Sequence, residues 1–428
     1  MPDRVVLLSI PQLRRNVVTP GALASLEALE SRGGLVEFRP PFPCLAAPSF
    51  ATLVTGTGPF VHGIVGDAFW DRTADSIVAR PFEDALVLAP KLWERLRQAR
   101  PEAKSLAWFT PNLHGAHIER AAWVDSSAGL QTNPPELAAA LSAKFGPYPS
   151  PRSDPTGEPL RLEASGWILK TAAQVIREVE PDLAIVRVPY LGQVARRFGP
   201  DGRDAGKAVR ELDVVLKPFL DAMPADVLVI AVTESVSTPV EGPVYPNRIL
   251  RELGLLALSG LPDGGVDVDT KASAAFALAD RQICQIYLND AGQAATVAAA
   301  FSGAHAEGIA TVASGPRRAA LGLDHPRAGD VVLVALPNRW FHPAWWKTPA
   351  EQPSKESGLR TRLGPSLDPS HVQGSLGAVA PNADYLGVLI ASHASWLGDA
   401  AYFTARELHD RLAETLGCGT PDGLSAGV

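Results

Sequence analysis

The chain has 428 residues, enough for one large α/β domain or two to three smaller ones, and its 46% hydrophobic content can build a sizeable core. A net charge of −7 with scattered Lys and Arg argues against a nucleic-acid partner. Three widely spaced cysteines, Cys44, Cys284 and Cys418, offer neither a disulfide framework nor a CxxC metal pattern, which points to a reducing, cytoplasmic setting.

Residues 5–10 form a continuous apolar run, the mark of a strand covered on both faces. The run is too short for a signal segment or a membrane span, and no other approaches about 18 apolar residues, so a soluble protein with no membrane partner is expected. Thr19 and Pro20 open a helix as N-cap and first residue, with Leu23, Leu26 and Leu29 on one face and Gly33-Gly34 as its stop. Residues 35–38 read as a short strand. In residues 40–59 three prolines precede Cys44, and an apolar helical run follows it. A thiol at the first turn of a helix lies near unpaired N–H groups and the positive end of the dipole, which favours thiolate and a bound anion. Cys44 also fits a small buried filler.

A glycine-rich loop spans residues 56–66. Leu92, Trp93 and Leu96 mark a helix, and residues 105–109 a strand. Residues 147–159, rich in Pro, Ser and Gly, read as a loop. Helices are expected over residues 167–179 and 205–220, and buried strands over 183–188 and 227–232. This alternation predicts an α/β fold, a doubly wound, mostly parallel sheet with helices on both faces. Ligands then sit beyond the carboxyl ends of the strands, at Pro11 and Gln12, at residues 189–196 and at Glu234 and Ser235. Residues 236–345 read as a smaller cap or insertion within an α/β domain of residues 1–416. They carry helices over 247–253 and 293–301, strands over 284–288 and 331–335, and an Asp- and Gly-rich turn over 262–269. The aromatic segment 338–346 fits either a pocket wall or simple packing. Residues 417–428 read as a flexible tail.

Several motifs then fall in a recognisable order. Phe42-Pro43-Cys44, Leu53-Val54-Thr55-Gly56 and His62-Gly63-Ile64-Val65-Gly66-Asp67 together resemble the nucleophile segment of type I phosphodiesterase/nucleotide pyrophosphatases, in the alkaline phosphatase superfamily. Ser9-Ile10 with Leu13, Thr19-Pro20, Arg197-Phe198-Gly199-Pro200-Asp201, the turn after residue 232 and Gly374-Ser375-Leu376-Gly377 resemble further family motifs. The resemblance covers about residues 4–400. It implies two metal ions, usually zinc, held by three Asp and three His, and a Thr or Ser nucleophile. At the corresponding positions this chain carries Pro11, Gly192, Arg196, Glu234, Ser235 and Leu376. Cys44 stands at the nucleophile, and Ser49 at the phosphate-contacting Asn. One carboxylate cannot hold two zinc ions, so no metal and no cofactor are expected.

Three readings stay open. The chain is a binding protein or pseudoenzyme for a small anionic or phosphorylated molecule, with Arg196 supplying the lost positive charge. Or it is a metal-independent enzyme in which Cys44 attacks, Glu234 or a His such as His371 or His62 moves protons, and Arg196 holds negative charge. Or it is a metallo-phosphodiesterase with displaced ligands drawn from His114, His117, Asp324, His325 and His342. The candidate catalytic set is Cys44, Glu234 and Arg196. The candidate ligand-binding set is Ser49, Gln12, Tyr190, Ser235 and His371. A homodimer stays open.

Overall fold

In a computed structural model the described residues are 3–18, 21–125, 128–149, 162–261, 265–348, 351–352 and 368–419. The apolar run becomes the strand Arg4–Ser9 at the middle of a nine-stranded sheet. It pairs in parallel with Leu183–Arg187 on one side and Val227–Val232 on the other. Beyond Leu183–Arg187 the sheet continues with Ser105–Trp108 and Arg120–Asp125, both parallel, and ends on antiparallel Gly129–Asn133. Beyond Val227–Val232 come Gly387–Ala391, antiparallel to both neighbours, then Gly34–Arg39 and Tyr402–Thr404.

The central strands are apolar throughout because both faces are covered. Leu23, Leu26, Leu29, Trp167, Ile168 and Leu212 pack one face, and Phe50, Leu53, Leu92, Trp93 and Leu408 pack the other. The first helix runs Ala24–Arg32 with Leu23 as N-cap, four residues later than Thr19-Pro20 suggested. Thr19 and Pro20 lie outside the described residues. So do most of the 147–159 loop, residues 262–264 of the turn, and residues 420–428 of the tail.

Within residues 236–345 a second, antiparallel sheet has the strand order Ala275–Asp280, Ile283–Leu288, Val331–Ala335, Ile309–Ser314. Its own core contains Phe276, Tyr287, Phe301, Phe341, Trp345 and Trp346, and Trp340 packs on Val240 and Val372. The aromatic segment is therefore packing rather than pocket wall. The segment around Arg327 clasps the glycine-rich loop. Arg327 Nη1 donates to Gly63 O at 3.0 Å and Leu86 O at 2.6 Å, and the guanidinium lies 5.1 Å over the Phe69 ring. Gly374 lets the late Gly-Ser-Leu-Gly stretch close onto the helix Tyr190–Phe198, since a Cβ there would lie 2.2 Å from Ala195 O. No described helix is long and apolar enough to cross a membrane.

Candidate functional site

Three parallel strands end side by side. Ser9 is in register with Arg187 and with Val232, and Glu234 lies two residues past Val232. Ser9 Oγ donates to Glu234 Oε2, and Arg187 Nε donates to Glu234 Oε1 at 2.5 Å. The Glu234 side chain is fully buried, whereas that of Arg187 keeps 19% exposure. Burial raises the Glu234 carboxyl above the usual carboxylate range, and Arg187 pulls it back down.

The opposite wall starts at the helix Ala46–Thr55, whose N-cap is Leu45. Cys44 therefore precedes the helix by two residues instead of sitting in its first turn. One of the helix's free N–H groups is met by the chain itself: Asp67 Oδ1 accepts from Ala47 N at 2.8 Å. Asp67 N donates to Asp280 Oδ2 at 2.7 Å, and Arg281 Nε stands 3.7 Å from Asp67. Burial, and then the nearby Asp67 charge, raise Asp280.

Cys44 is 6% exposed, and its N–H donates to Gly377 O at 3.0 Å. Burial pushes its thiol up to about 12. The Val236 backbone bond to the thiol works against this, and the Glu234 and Asp67 charges add to it. The thiolate expected from a helix start is thus corrected. The group is a buried neutral thiol at pH 7, because the helix start it was to exploit is met by Asp67 and the charges that bear on it, Glu234 and Asp67, are negative. His62 is buried and neutral. Its Nδ1 accepts from Ile64 N at 3.1 Å and its Nε2 meets Thr52 Oγ1 at 3.1 Å, so it ties the helix to the glycine-rich loop. Burial holds it down at about 3.

The other candidates divide. Gln12 adopts φ 71° at the strand end, its N–H donates to Ser235 O at 2.9 Å, and its Nε2 donates to Ser237 Oγ at 2.8 Å. Ser235 is buried beside it. Pro11 and Gly192 face each other, since a Cβ on Gly192 would lie 3.2 Å from Pro11 Cβ. Leu376 packs in an apolar cluster with Leu45. Ser49 is 1% exposed, with no partner for its Oγ among the described residues. Tyr190 faces away: it is buried in the sheet core, and its OH donates to Glu211 Oε2 at 2.6 Å. Arg196 is half-buried on the last turn of its helix, where its carbonyl accepts from Gln373 N at 2.9 Å, and the guanidinium on Glu234 is Arg187. His371 sits on the turn Pro369–His371 beside Asp368. Sequence reasoning passed over Ser9, Arg187, Asp67 and Asp280 as site residues. The signal for Arg187 was a lone charge inside an otherwise apolar strand.

Residues 5–361 match the family model for type I phosphodiesterase/nucleotide pyrophosphatase. The chain belongs to this family. A curated relative of this phosphodiesterase-family chain is an uncharacterised pyrophosphatase/phosphodiesterase of Schizosaccharomyces pombe. The two are 22% identical over 221 residues, which is 51% of this chain but only 40% of the relative. Two solved structures share the family fold at 15% identity and a TM-score of 0.66, each match covering 97% of this chain and 95% of the other. They are phosphonoacetate hydrolase from Sinorhizobium meliloti 1021 with phosphonoformate, and murine ectonucleotide pyrophosphatase/phosphodiesterase 5, inactive, with AMP. Human ectonucleotide pyrophosphatase/phosphodiesterase 5 matches at 14% identity and a TM-score of 0.66, over 99% of this chain and 97% of that one. These likenesses place the protein in the alkaline phosphatase-like fold. Among the described residues of this family member, no group of three or more His, Cys, Asp and Glu side chains could hold a metal ion.

Proposed function

We propose that this chain is a metal-independent member of the phosphodiesterase/nucleotide pyrophosphatase family that binds a small anionic or phosphorylated molecule at the strand ends without hydrolysing it. One observation carries the reading: Arg187 reaches across the strand ends to Glu234, with Ser9 closing the network. A guanidinium there is a fixed cation in the crevice where the resemblance sets dications. The residues at the family's ligand positions do not suit a metal pair. Pro11, Gly192 and Leu376 have no donor atom, Arg196 is a cation, and Glu234 already serves Arg187 and Ser9. The partly exposed edge of Arg187 is the group that meets the ligand's negative charge. The crystallised relatives hold small anions, AMP and phosphonoformate, which sets the ligand class tried first.

A reaction at Cys44 is the competing reading. It is favoured by the Val236 backbone bond, which steadies a thiolate. Burial outweighs that bond. Two measurements separate the readings. With a chelator present, AMP or inorganic phosphate is expected to raise the melting temperature of the native protein and not that of Arg187→Gln. No shift with either anion sinks the binding reading. Native Cys44 is expected to resist iodoacetamide from pH 6 to 9, and rapid alkylation at pH 7 would restore the nucleophile. Zinc near two ions per purified chain would overturn both readings in favour of a metalloenzyme.

A further inference from the structure

In the second sheet the strands Ala275–Asp280 and Ile283–Leu288 are joined by the tight turn Arg281-Gln282, since Asp280 already pairs with Ile283. Arg281 takes the first place of the turn with φ 60°. A hairpin turn with a positive φ there favours Gly, Asn or Asp, and a long side chain is strained. The surroundings hold it. Arg281 O accepts from Phe341 N at 2.6 Å, Gln282 N donates to Leu376 O at 3.0 Å, and Gln282 O accepts from Ala335 N at 2.9 Å. Backbone kept in a disfavoured region by everything around it is found most often at functional positions.

The turn abuts Cys44. Gln282 is bonded to Leu376, and the next residue, Gly377, accepts from Cys44 N at 3.0 Å. Arg281 Nε stands 3.7 Å from the Asp67 carboxylate, and the Arg281 side chain keeps 27% exposure. Arg281 thus serves Asp67 on the helix wall as Arg187 serves Glu234 on the strand wall. The Cys44 thiol feels the charges of both carboxylates, so the two pairs border one crevice. A guanidinium balanced by one carboxylate still offers an outer N–H edge to a second oxyanion. Asp280, pushed up to about 7 by burial and then by Asp67, is mostly protonated below neutral pH and does not oppose an anion there. From this juxtaposition we infer that Arg281 is a second anion contact of the crevice, and that the ligand is a small molecule with two acid groups, one for Arg187 and one for Arg281. The inference rests on the anion reading above and adds the second charge and the wall that meets it.

The test compares propionate with the dicarboxylates from malonate to adipate, by isothermal titration on the full chain at pH 6 with a chelator present. At least one dicarboxylate is expected to bind about tenfold tighter than propionate, the worth of one further charged contact. Arg281→Gly is expected to fold, because glycine suits φ 60°. It should bring that dicarboxylate down to the propionate level and leave propionate unchanged, whereas Arg187→Gln should weaken both. Equal binding of propionate and every dicarboxylate overturns the inference, and so does undiminished dicarboxylate binding by Arg281→Gly. The anion reading survives either result, provided that propionate still needs Arg187. Failure of every acid, with AMP and inorganic phosphate included, sinks the anion reading and this inference together. Should Arg281→Gly fail to fold by circular dichroism, a native crystal soaked in the tightest dicarboxylate decides: a carboxylate on Arg281 upholds the inference, and a molecule held away from Arg281 overturns it.

Discussion

The two walls of the crevice surround a buried carboxyl with different neighbours. On the strand side, Glu234 has a cation built into its network, with Arg187 at 2.5 Å and Ser9 on the other oxygen. On the helix side, Asp67 and Asp280 lie together while their arginine, Arg281, stays 3.7 Å away. The first arrangement sets a guanidinium against the burial that raises its carboxyl, and so draws that carboxyl part of the way back down. The second leaves a carboxyl that holds its proton more tightly than usual. Equal burial raises both carboxyls, and the difference is that a cation in direct contact opposes the rise on one side while a second carboxylate adds to it on the other.

The sharpest way to break this contrast is Arg187→Ala. It strands Glu234 in a buried site and is expected to cost about 3–5 kcal/mol at pH 7 by urea unfolding. The deficit should shrink as pH falls towards 5, because an unpaired Glu234 takes up a proton. A deficit independent of pH would mean that Arg187 acts through packing alone.

His62 probes the helix side next. Its folded value, about 3, lies below the ordinary 6.5, so the stability it contributes is present above 6.5 and lost as pH falls towards 3. Between pH 6.5 and 4 the loss is about 3 kcal/mol. His62→Gln should flatten that acid limb in a pH series of denaturation midpoints. Asp280→Asn comes third. Because the folded Asp280 is raised, its contribution is full in acid and lost as pH rises through its folded value. The variant should unfold within about 1 kcal/mol of wild type at pH 7 and lose less stability than wild type between about pH 4 and pH 7. Cys44→Ala has the smallest expected effect, about 1 kcal/mol by the same unfolding assay, since a small neutral thiol is being removed.

What could be read in advance follows the same division between local and distant. Residues 5–10, 183–188 and 227–232 announced themselves because a strand buried on both faces is an unbroken apolar run. The strand Ala275–Asp280 did not, since half of its residues are alanine and none is β-branched. Glu234 was legible as the one carboxylate left at the positions where the resemblance sets metal ligands. Its partner was not, because Arg187 lies 47 residues away and arrives only through strand register. The Asp67–Asp280 contact spans 213 residues and two sheets. The helix beside Cys44 has the dipole its sequence implies, but Asp67, 20 residues on from Ala47, reaches the free N–H of Ala47 first, and only the fold brings it there.

The strand Gly387–Ala391 lies between Gly34–Arg39 and Val227–Val232. On a ribosome adding about 5–20 residues per second, the slot between those two strands stays empty for roughly tens of seconds after residue 39 is made. During that interval Gly34–Arg39 has no partner to hold it beside the parallel strands, and both borders of the gap expose unpaired backbone. Nascent chains of this protein are therefore expected to engage a chaperone until residues 387–391 have been made, and a truncation before residue 387 should aggregate instead of folding short.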